Sequence, residues 1–220
     1  MSTLHVNLIG RFGNCMFQYA YARALSEQRG WDLTTSDWIG QEIFDLPNHS
    51  PASGADEILP TNYCQDQQSL IYTRSDTRDW FKLKPDVLER LKGFESHGQV
   101  LAHRRTGDYM SLGYVVVSWE SYYDAARKAG YEIDQFQFEE KSLLENTSFV
   151  VDFYSMMTCS VLFRGNSSFS WWAATLGNAK VYSPVIEGLE GGKEQDCKFV
   201  EGNWPRFANL PFVTDLHLPE

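Results

Sequence analysis

Short apolar runs alternate with amphipathic segments along most of the chain, and this alternation predicts an α/β fold. Residues 4–9 predict a first strand, and apolar residues at helical spacing predict a helix over 15–28 that Gly30 ends. The first half continues with two strands, a helix and a further strand, at 31–35, 67–73, 84–92 and 98–102. Because strands alternate with helices, we expect mainly parallel sheets.

The second half of the chain follows the same alternation. Its predicted elements are a helix over 118–130, a helix over 153–159, a strand at 160–163, a helix at 169–176 and a strand at 179–183. A short apolar run at 149–151 precedes Asp152. Short apolar runs between turns are typical of strands buried inside a parallel sheet, so the strand at 98–102 is expected in a sheet interior.

Charge and composition narrow the classes of function. The formal net charge of -10 gives no basic footprint for a nucleic acid, so none is expected as a partner. The first residues lack the basic and apolar regions of a signal peptide, and no apolar run is long enough to cross a membrane. Four scattered cysteines without metal-binding spacing predict free thiols, and together these features predict a cytoplasmic protein.

A cluster of charged residues directly follows the strand predicted at 98–102. Ligands of open α/β sheets bind outside the carboxyl ends of strands, so Arg105 is expected at the mouth of such a crevice. Its planar guanidinium fits the oxygens of a phosphate. Asp108 can orient an arginine, cap a helix or bind a polar ligand. The open alternative is a structural ion-pair network of His103, Arg105 and Asp108.

A second polar cluster lies between the strand at 160–163 and the following helix. Asn166, Ser167 and Ser168 would place hydroxyl and N–H groups at a helix N-terminus, which is the geometry of an anion site. The alternative is an N-cap by one of the serines. We expect Trp171 and Trp172 in the core, because aromatic residues in helices mostly pack.

A glycine-bearing turn links the first strand to the first helix. Only Gly10 and Gly13 are present, which is less than the full dinucleotide-binding pattern. The spacing therefore leaves two interpretations open, a tight turn or a ligand-binding loop.

Three motifs together resemble the α-1,2-fucosyltransferase family (glycosyltransferase family 11). They are His103-x-Arg105-x-Gly107-Asp108-Tyr109, the segment 166–174 (Asn-Ser-Ser-Phe-Ser-Trp-Trp-Ala-Ala) and the segment 10–20, which begins Gly-Arg-Phe-Gly-Asn. The last motif is also similar to the protein O-fucosyltransferases. The three motifs occur in the order that the family has.

The resemblance implies a compact GT-B-like fold of two Rossmann-like lobes. Residues 1–97 would form an N-terminal acceptor-side lobe, and residues 98–220 a C-terminal lobe that binds GDP-fucose. The implied enzyme is an inverting, metal-independent glycosyltransferase that moves L-fucose from GDP-fucose to a glycan hydroxyl, in α-1,2 linkage. The expected partners are the nucleotide sugar and a glycan acceptor, with no cofactor. The absence of an Asp-x-Asp motif agrees with a metal-free reaction.

The resemblance also assigns roles to individual residues. Arg105 matches the arginine that binds the β-phosphate, and Asp152 has the spacing of an aspartate that reads guanine. The other donor-side residues are His103, Asn166, Ser167, Ser168 and Phe169. Asn14 matches a residue that reaches into the cleft from the acceptor side. The candidate catalytic residues are Arg105, Asn14 and Asp108, with Asp108, His103 or a carboxylate of the first lobe as base.

Three departures from the family pattern keep other functions open. The chain is about 70 residues shorter than a typical member, the usual Ser-Asp-Asp before the motif at 166–174 is missing, and Cys15 stands where Gln is usual. The alternatives are a transferase that uses another GDP-sugar, a GDP-sugar-binding module without catalysis, and a structural domain that keeps the motifs only for packing.

Overall fold

The chain divides into two compact units, and each is built around its own parallel sheet. The computed structural model describes residues 2–47, 54–107, 109–131 and 149–203, and the backbone alone for 136–139. Contacts between Cα atoms place the division between Arg90 and Leu91. The predicted lobes 1–97 and 98–220, and their GT-B-like arrangement, stay predictions. In the described parts of the chain, no helix has the length and apolar character that a bilayer crossing requires.

Unit 1 comprises the described residues up to Arg90 and contains a three-stranded sheet with helices. Its elements are β1 (Thr3–Val6), α1 (Phe12–Arg29), β2 (Asp32–Thr35), α2 (Gly40–Ile43), β3 (Glu57–Ile58), α3 (Arg74–Trp80) and the first residues of α4 (Pro85–Leu91). The strand order is β2-β1-β3, and both pairings are parallel. In sequence, the central strand β1 is therefore followed first by β2, its neighbour on one side, and later by β3, its neighbour on the other side.

Two predictions for unit 1 need correction. Helix α1 begins at Phe12, three residues before the predicted start. The strand predicted at 67–73 is wrong, because Gln67–Ser69 forms a 3-10 helix and Thr73 caps α3 in a capping box with Asp76. The polar side chains here bond to nearby backbone groups, which competes with strand formation.

Unit 2 comprises the described residues from Leu91 onward and contains the larger sheet. Its elements are β4 (Val100–His103), β5 (Val116–Val117), α5 (Trp119–Ala129), β6 (Phe136–Glu139), α6 (Phe149–Thr158), β7 (Val161–Phe163), α7 (Ser168–Leu176), β8 (Lys180–Pro184), β9 (Glu194–Gln195) and β10 (Phe199–Glu201). The sheet order is β6-β4-β7-β8-β10, with β10 antiparallel and the other pairings parallel. The predicted α/β class with mainly parallel sheets is confirmed.

Both faces of the central strands in this sheet are buried. Val100, Ala102 and Phe163 belong to one buried cluster that includes residues of α5. Leu101 and Leu162 are 1% and 0% exposed but lie outside that cluster, as expected from the alternation of side chains along a strand. This burial explains why β4 and β7 read as continuous apolar runs in the sequence.

The helices of unit 2 agree with the predicted pattern, with one change of boundary. Trp171 and Trp172 are 1% and 0% exposed and their rings meet edge to face at 4.9 Å, which confirms the predicted core position. Helix α6 begins at Phe149, four residues before the predicted start. The apolar run before Asp152 is therefore the first turn of a helix.

We predict that the four thiols are reduced and react slowly in the folded protein. The free cysteines are Cys15, Cys64, Cys159 and Cys197. Burial raises the pKa of Cys15 to about 11 and that of Cys64 and Cys197 to about 12, so little thiolate exists at pH 8 in the native state. Titration with Ellman's reagent should show slow reaction in buffer and four rapidly reacting thiols in denaturant without reductant.

Two results would contradict this prediction. Fewer than four thiols in the denatured, unreduced protein would indicate a disulfide. Rapid reaction of Cys15 in the native protein would show that the start of α1 lowers its pKa more than burial raises it.

Candidate functional site

The carboxyl ends of β4 and β7 lie side by side in the middle of the larger sheet. The two strands are paired in parallel, with Ala102 opposite Phe163. From β4 the chain runs to β6 on one side of the sheet and then to β7 on the other. Loops that leave neighbouring strands in opposite directions open a crevice, and this is where α/β sheets bind ligands. The loops after β4 and β7 are therefore the candidate site.

The two loops are in direct backbone contact. A Cβ atom on Gly165 would lie 2.9 Å from the carbonyl oxygen of His103 and 3.4 Å from the backbone nitrogen of Arg105. Tyr122 donates a hydrogen bond to the same carbonyl, at 2.9 Å, and so fixes it from the side of α5. Glycine at position 165 allows the loop after β7 to lie against the end of β4.

Four of the predicted donor-side residues come together at this edge. The half-buried guanidinium of Arg105 lies 5.4 Å from the ring centre of Tyr109, and the Tyr109 hydroxyl donates to the backbone oxygen of Asn166 at 3.2 Å. The ring of His103 lies 5.8 Å from the ring of Phe169. His103, Arg105, Asn166 and Phe169 therefore occupy one continuous region.

The N-terminus of α7 lies in the same region, and the two predicted serines differ there. Ser167 is buried and caps the helix, because its Oγ accepts from the backbone nitrogen of Ser170 at 3.2 Å. Ser168 is the first helical residue and is half-buried. The first turn of α7 carries no acidic side chain, so the positive end of the helix dipole is not offset by a helix carboxylate.

Asn166 is part of the loop's interior. It is 3% exposed, and its Nδ2 donates to the carbonyl of Val115 at 3.0 Å. Its Oδ1 is buried and has no hydrogen-bond partner among the described residues. The side chain thus joins the loop after β7 to the segment that leads into β5.

Asp152 lies in the first turn of α6, which packs against α7. The residues around it on the helix, Phe149 and Phe153, have ring centres 6.3 and 5.3 Å from that of Phe169. These contacts put the first turn of α6 beside the start of α7. The predicted contact of Asp152 with guanine stays a prediction.

Asn14 belongs to unit 1, where it joins the loops after β1 and β3. Its Oδ1 accepts from Nε2 of Gln65 at 2.9 Å. Gly10 has φ +86°, and a Cβ there would lie 2.7 Å from Nδ2 of Asn14. The Gly10 loop therefore packs directly on the Asn14 side chain. Asp108, the other predicted catalytic residue, lies outside the described residues.

Arg104 and Arg164 lie beside predicted site residues, and the sequence alone assigned neither of them a role. Arg104 is buried, and its Nε donates to the carbonyl of Val117 at 2.8 Å. Its guanidinium also forms an ion pair with Glu194 at 2.5 Å and lies over the ring of Trp119. It therefore ties the end of β4 to β5 and β9. The sequence offered only adjacent arginines, with no sign that one of them turns inward.

Arg164 is the second such residue, and it supports the loop after β7. It is 1% exposed and donates to Oγ of Ser183 at 2.8 Å and to the carbonyl of Gly165 at 2.7 Å. Burial lowers its pKa to about 9, so it is still charged at neutral pH. Its only signal in the sequence is a charged residue directly after an apolar run.

The part of the chain that the structure describes contains no group of three His, Cys, Asp or Glu side chains that could hold a metal ion. No protein-family model matches the sequence, and no curated protein matches it.

The chain is similar to solved structures of the fucosyltransferase NodZ. One is NodZ alpha-1,6-fucosyltransferase co-crystallized with GDP, with 13% identity, coverage of 92% of this chain and 99% of that chain, and a TM-score of 0.46. Another is fucosyltransferase NodZ from Bradyrhizobium, with 14% identity, coverage of 91% of this chain and 98% of that chain, and a TM-score of 0.48. A NodZ structure soaked with GDP-fucose has 12% identity, coverage of 91% and 99%, and a TM-score of 0.46.

We predict that the two neighbouring serines differ in their effect on stability. Ser167→Ala removes the N-cap of α7 and should lower the free energy of unfolding by about 0.5–2 kcal/mol. Ser168→Ala is the matched control and should change it by less than about 0.5 kcal/mol, because the residue is half-buried and does not cap the helix. Urea unfolding followed by circular dichroism measures both. Equal losses of unfolding free energy in the two variants would contradict the capping role of Ser167.

Proposed function

We propose that this protein is an inverting, metal-independent glycosyltransferase that transfers L-fucose from GDP-fucose to a glycan hydroxyl in α-1,2 linkage. The observation that supports it best is the position of Arg105 and the N-terminus of α7, which lie on the two loops of one crevice. The choice of GDP-fucose rests on the resemblance of the three sequence motifs. The choice of a diphosphate rests on the chemistry of the crevice.

The crevice has the groups that a diphosphate needs. A guanidinium binds phosphate oxygens through paired N–H donors, and Arg105 supplies one. A helix N-terminus binds anions through backbone N–H groups and the helix dipole, and α7 supplies this at Ser168 and Phe169. In a protein with a net charge of -10, a crevice built from these groups is selective for an anion.

The same groups serve the reaction. In fucosyl transfer the acceptor oxygen forms a bond to the anomeric carbon while the bond from that carbon to the β-phosphate oxygen breaks, through an oxocarbenium-like transition state. Negative charge grows on the departing β-phosphate. Arg105 and the start of α7 stabilise that charge, since they are fixed in place before the reaction. Asp108, His103 or a carboxylate of the first lobe takes the proton of the acceptor hydroxyl, and the resemblance assigns Asn14 to the acceptor side.

The nucleotide base is assigned to the start of α6. A carboxylate can accept hydrogen bonds from both N1–H and the exocyclic amine of guanine, and Asp152 supplies one there. Uracil has no such pair of donors. This assignment therefore predicts a preference for GDP over UDP.

The alternatives predict different results in two assays. A transferase for another GDP-sugar would bind GDP-mannose at least as tightly as GDP-fucose. A module without catalysis would bind GDP-fucose and neither transfer nor hydrolyse it. A purely structural domain would bind no nucleotide.

We predict that Arg105→Ala weakens the binding of GDP. The loss of a charge-assisted contact to a phosphate should reduce the affinity ~10- to 100-fold and abolish fucosyl transfer. Calorimetric titration of the purified protein with GDP, GDP-fucose and UDP, without added metal, measures the affinity. Normal affinity and turnover in this variant would remove the phosphate role of Arg105.

Two further variants complete the same titration. Arg127→Ala is the matched control, because Arg127 is an exposed arginine of α5 that pairs with Asp124, and its affinity for GDP should be unchanged. Asp152→Asn should reduce the preference for GDP over UDP. An unchanged preference would overturn the assignment of the guanine site.

We predict that EDTA leaves the transfer rate unchanged. The positive charge that stabilises the leaving diphosphate comes from the protein, so no cation is needed for it. Transfer is measured with GDP-fucose and a panel of glycan acceptors, before and after dialysis against EDTA. Loss of activity that Mg²⁺ or Mn²⁺ restores would contradict the metal-free reaction.

A further inference from the structure

We infer that Tyr109 is a positioning residue that holds Arg105 at a fixed distance from the start of α7 and so sets the preference of the crevice for a diphosphate. The inference rests on the proposed function, because it takes Arg105 and α7 as the two sides of a phosphate site. Tyr109 lies on the loop after β4 but is bonded to the loop after β7.

Two contacts of Tyr109 connect the two sides of the crevice. Its ring lies under the Arg105 guanidinium, with 5.4 Å from the guanidinium carbon to the ring centre. Its hydroxyl donates to the backbone oxygen of Asn166 at 3.2 Å, two residues before the first residue of α7. Asn166 is itself anchored through Nδ2 to Val115. Arg105 is thus linked to the α7 N-terminus through one side chain.

The backbone around Tyr109 holds the ring in place. Its nitrogen donates to the carbonyl of Thr106 at 3.1 Å, and its carbonyl accepts from the nitrogen of Tyr114 at 2.8 Å. The rings of Tyr109 and Tyr114 lie 5.0 Å apart between centres. A tyrosine has only two side-chain torsions, so a ring held by these contacts is a rigid support for the arginine.

A guanidinium that lies on an aromatic face can still bind a phosphate. All five of its N–H donors lie in the plane of the group and point away from the ring below it. Tyr109 can therefore limit the tilt and reach of Arg105 while its donors stay directed at a ligand. In the proposed site a diphosphate would touch both Arg105 and the start of α7, whereas a monophosphate would need only one of them. The loss of Tyr109 should therefore affect the diphosphate more.

The test compares GDP with GMP in wild-type protein, Tyr109→Phe and Tyr109→Leu by calorimetric titration without metal. Tyr109→Leu removes both the ring and the hydroxyl, and we expect ~10-fold weaker binding of GDP but less than ~2-fold weaker binding of GMP. Tyr109→Phe keeps the ring, so the GDP loss should be smaller, ~3-fold. The Phe variant also preserves packing, which keeps the test valid if the Leu variant folds poorly.

A double-mutant cycle separates positioning from a general loss of structure. In an Arg105→Ala background, Tyr109→Leu should weaken the binding of GDP by less than ~2-fold, because the guanidinium that Tyr109 positions is gone. Tyr154→Phe is the matched control, since Tyr154 is a half-buried tyrosine of α6 whose hydroxyl bonds to Glu95 at 3.4 Å. Its ratio of GDP to GMP affinity should equal that of the wild type.

The outcomes distinguish the inference from the proposal beneath it. A wild-type protein that binds no GDP overturns the proposed function and the inference with it. A wild-type protein that binds GDP, together with Tyr109 variants that lose GDP and GMP equally, overturns the inference alone. Additive losses in the cycle have the same meaning, because they show that Tyr109 does not act through Arg105.

Discussion

The candidate site depends on the parallel pairing of β4 with β7. This pairing puts two carboxyl ends next to each other, and the order of the strands sends the following loops in opposite directions. The loop from β4 carries Arg105, and the loop from β7 leads into α7. The Arg164 guanidinium of the second loop is buried, so the half-buried guanidinium comes from the first loop and the helix N-terminus from the second. Gly165 allows the two loops to touch.

Much of the fold could be predicted from the sequence, because β4 and β7, in the middle of the larger sheet, are buried on both faces. Their apolar runs are unbroken, and the helices between them end at recognisable residues such as Gly130, which has the left-handed conformation. The prediction was wrong at 67–73, where local hydrogen bonds of polar side chains decide the conformation. The strands β3, β9 and β10 were not predicted, since two or three residues are too few to show a period.

The site could be predicted at the level of loops but not at the level of every side chain. The rule about carboxyl ends placed Arg105 at the edge of the sheet, and the structure puts the loop after β7 beside it. The sequence could not decide which serine caps α7, because two adjacent serines fit the same motif and the answer depends on where the helix begins. Nor could it show that the Asn166 side chain is buried, since Val115, its partner, is 51 residues away.

Arg104 and Arg105 show how strictly the candidate site depends on the register of β4. Arg104 turns toward β5 and β9 and is used for structure, whereas Arg105 lies on Tyr109 beside the loop after β7. Successive side chains of an extended chain point to opposite sides, so a shift of β4 by one residue would exchange the two. Because β4 is buried on both faces, the fit of side chains of different size fixes this register: Val100 and Ala102 fill the cluster that α5 covers, and Leu101 fills the opposite face. The packing that fixes the sheet therefore also determines to which side of the chain each arginine points.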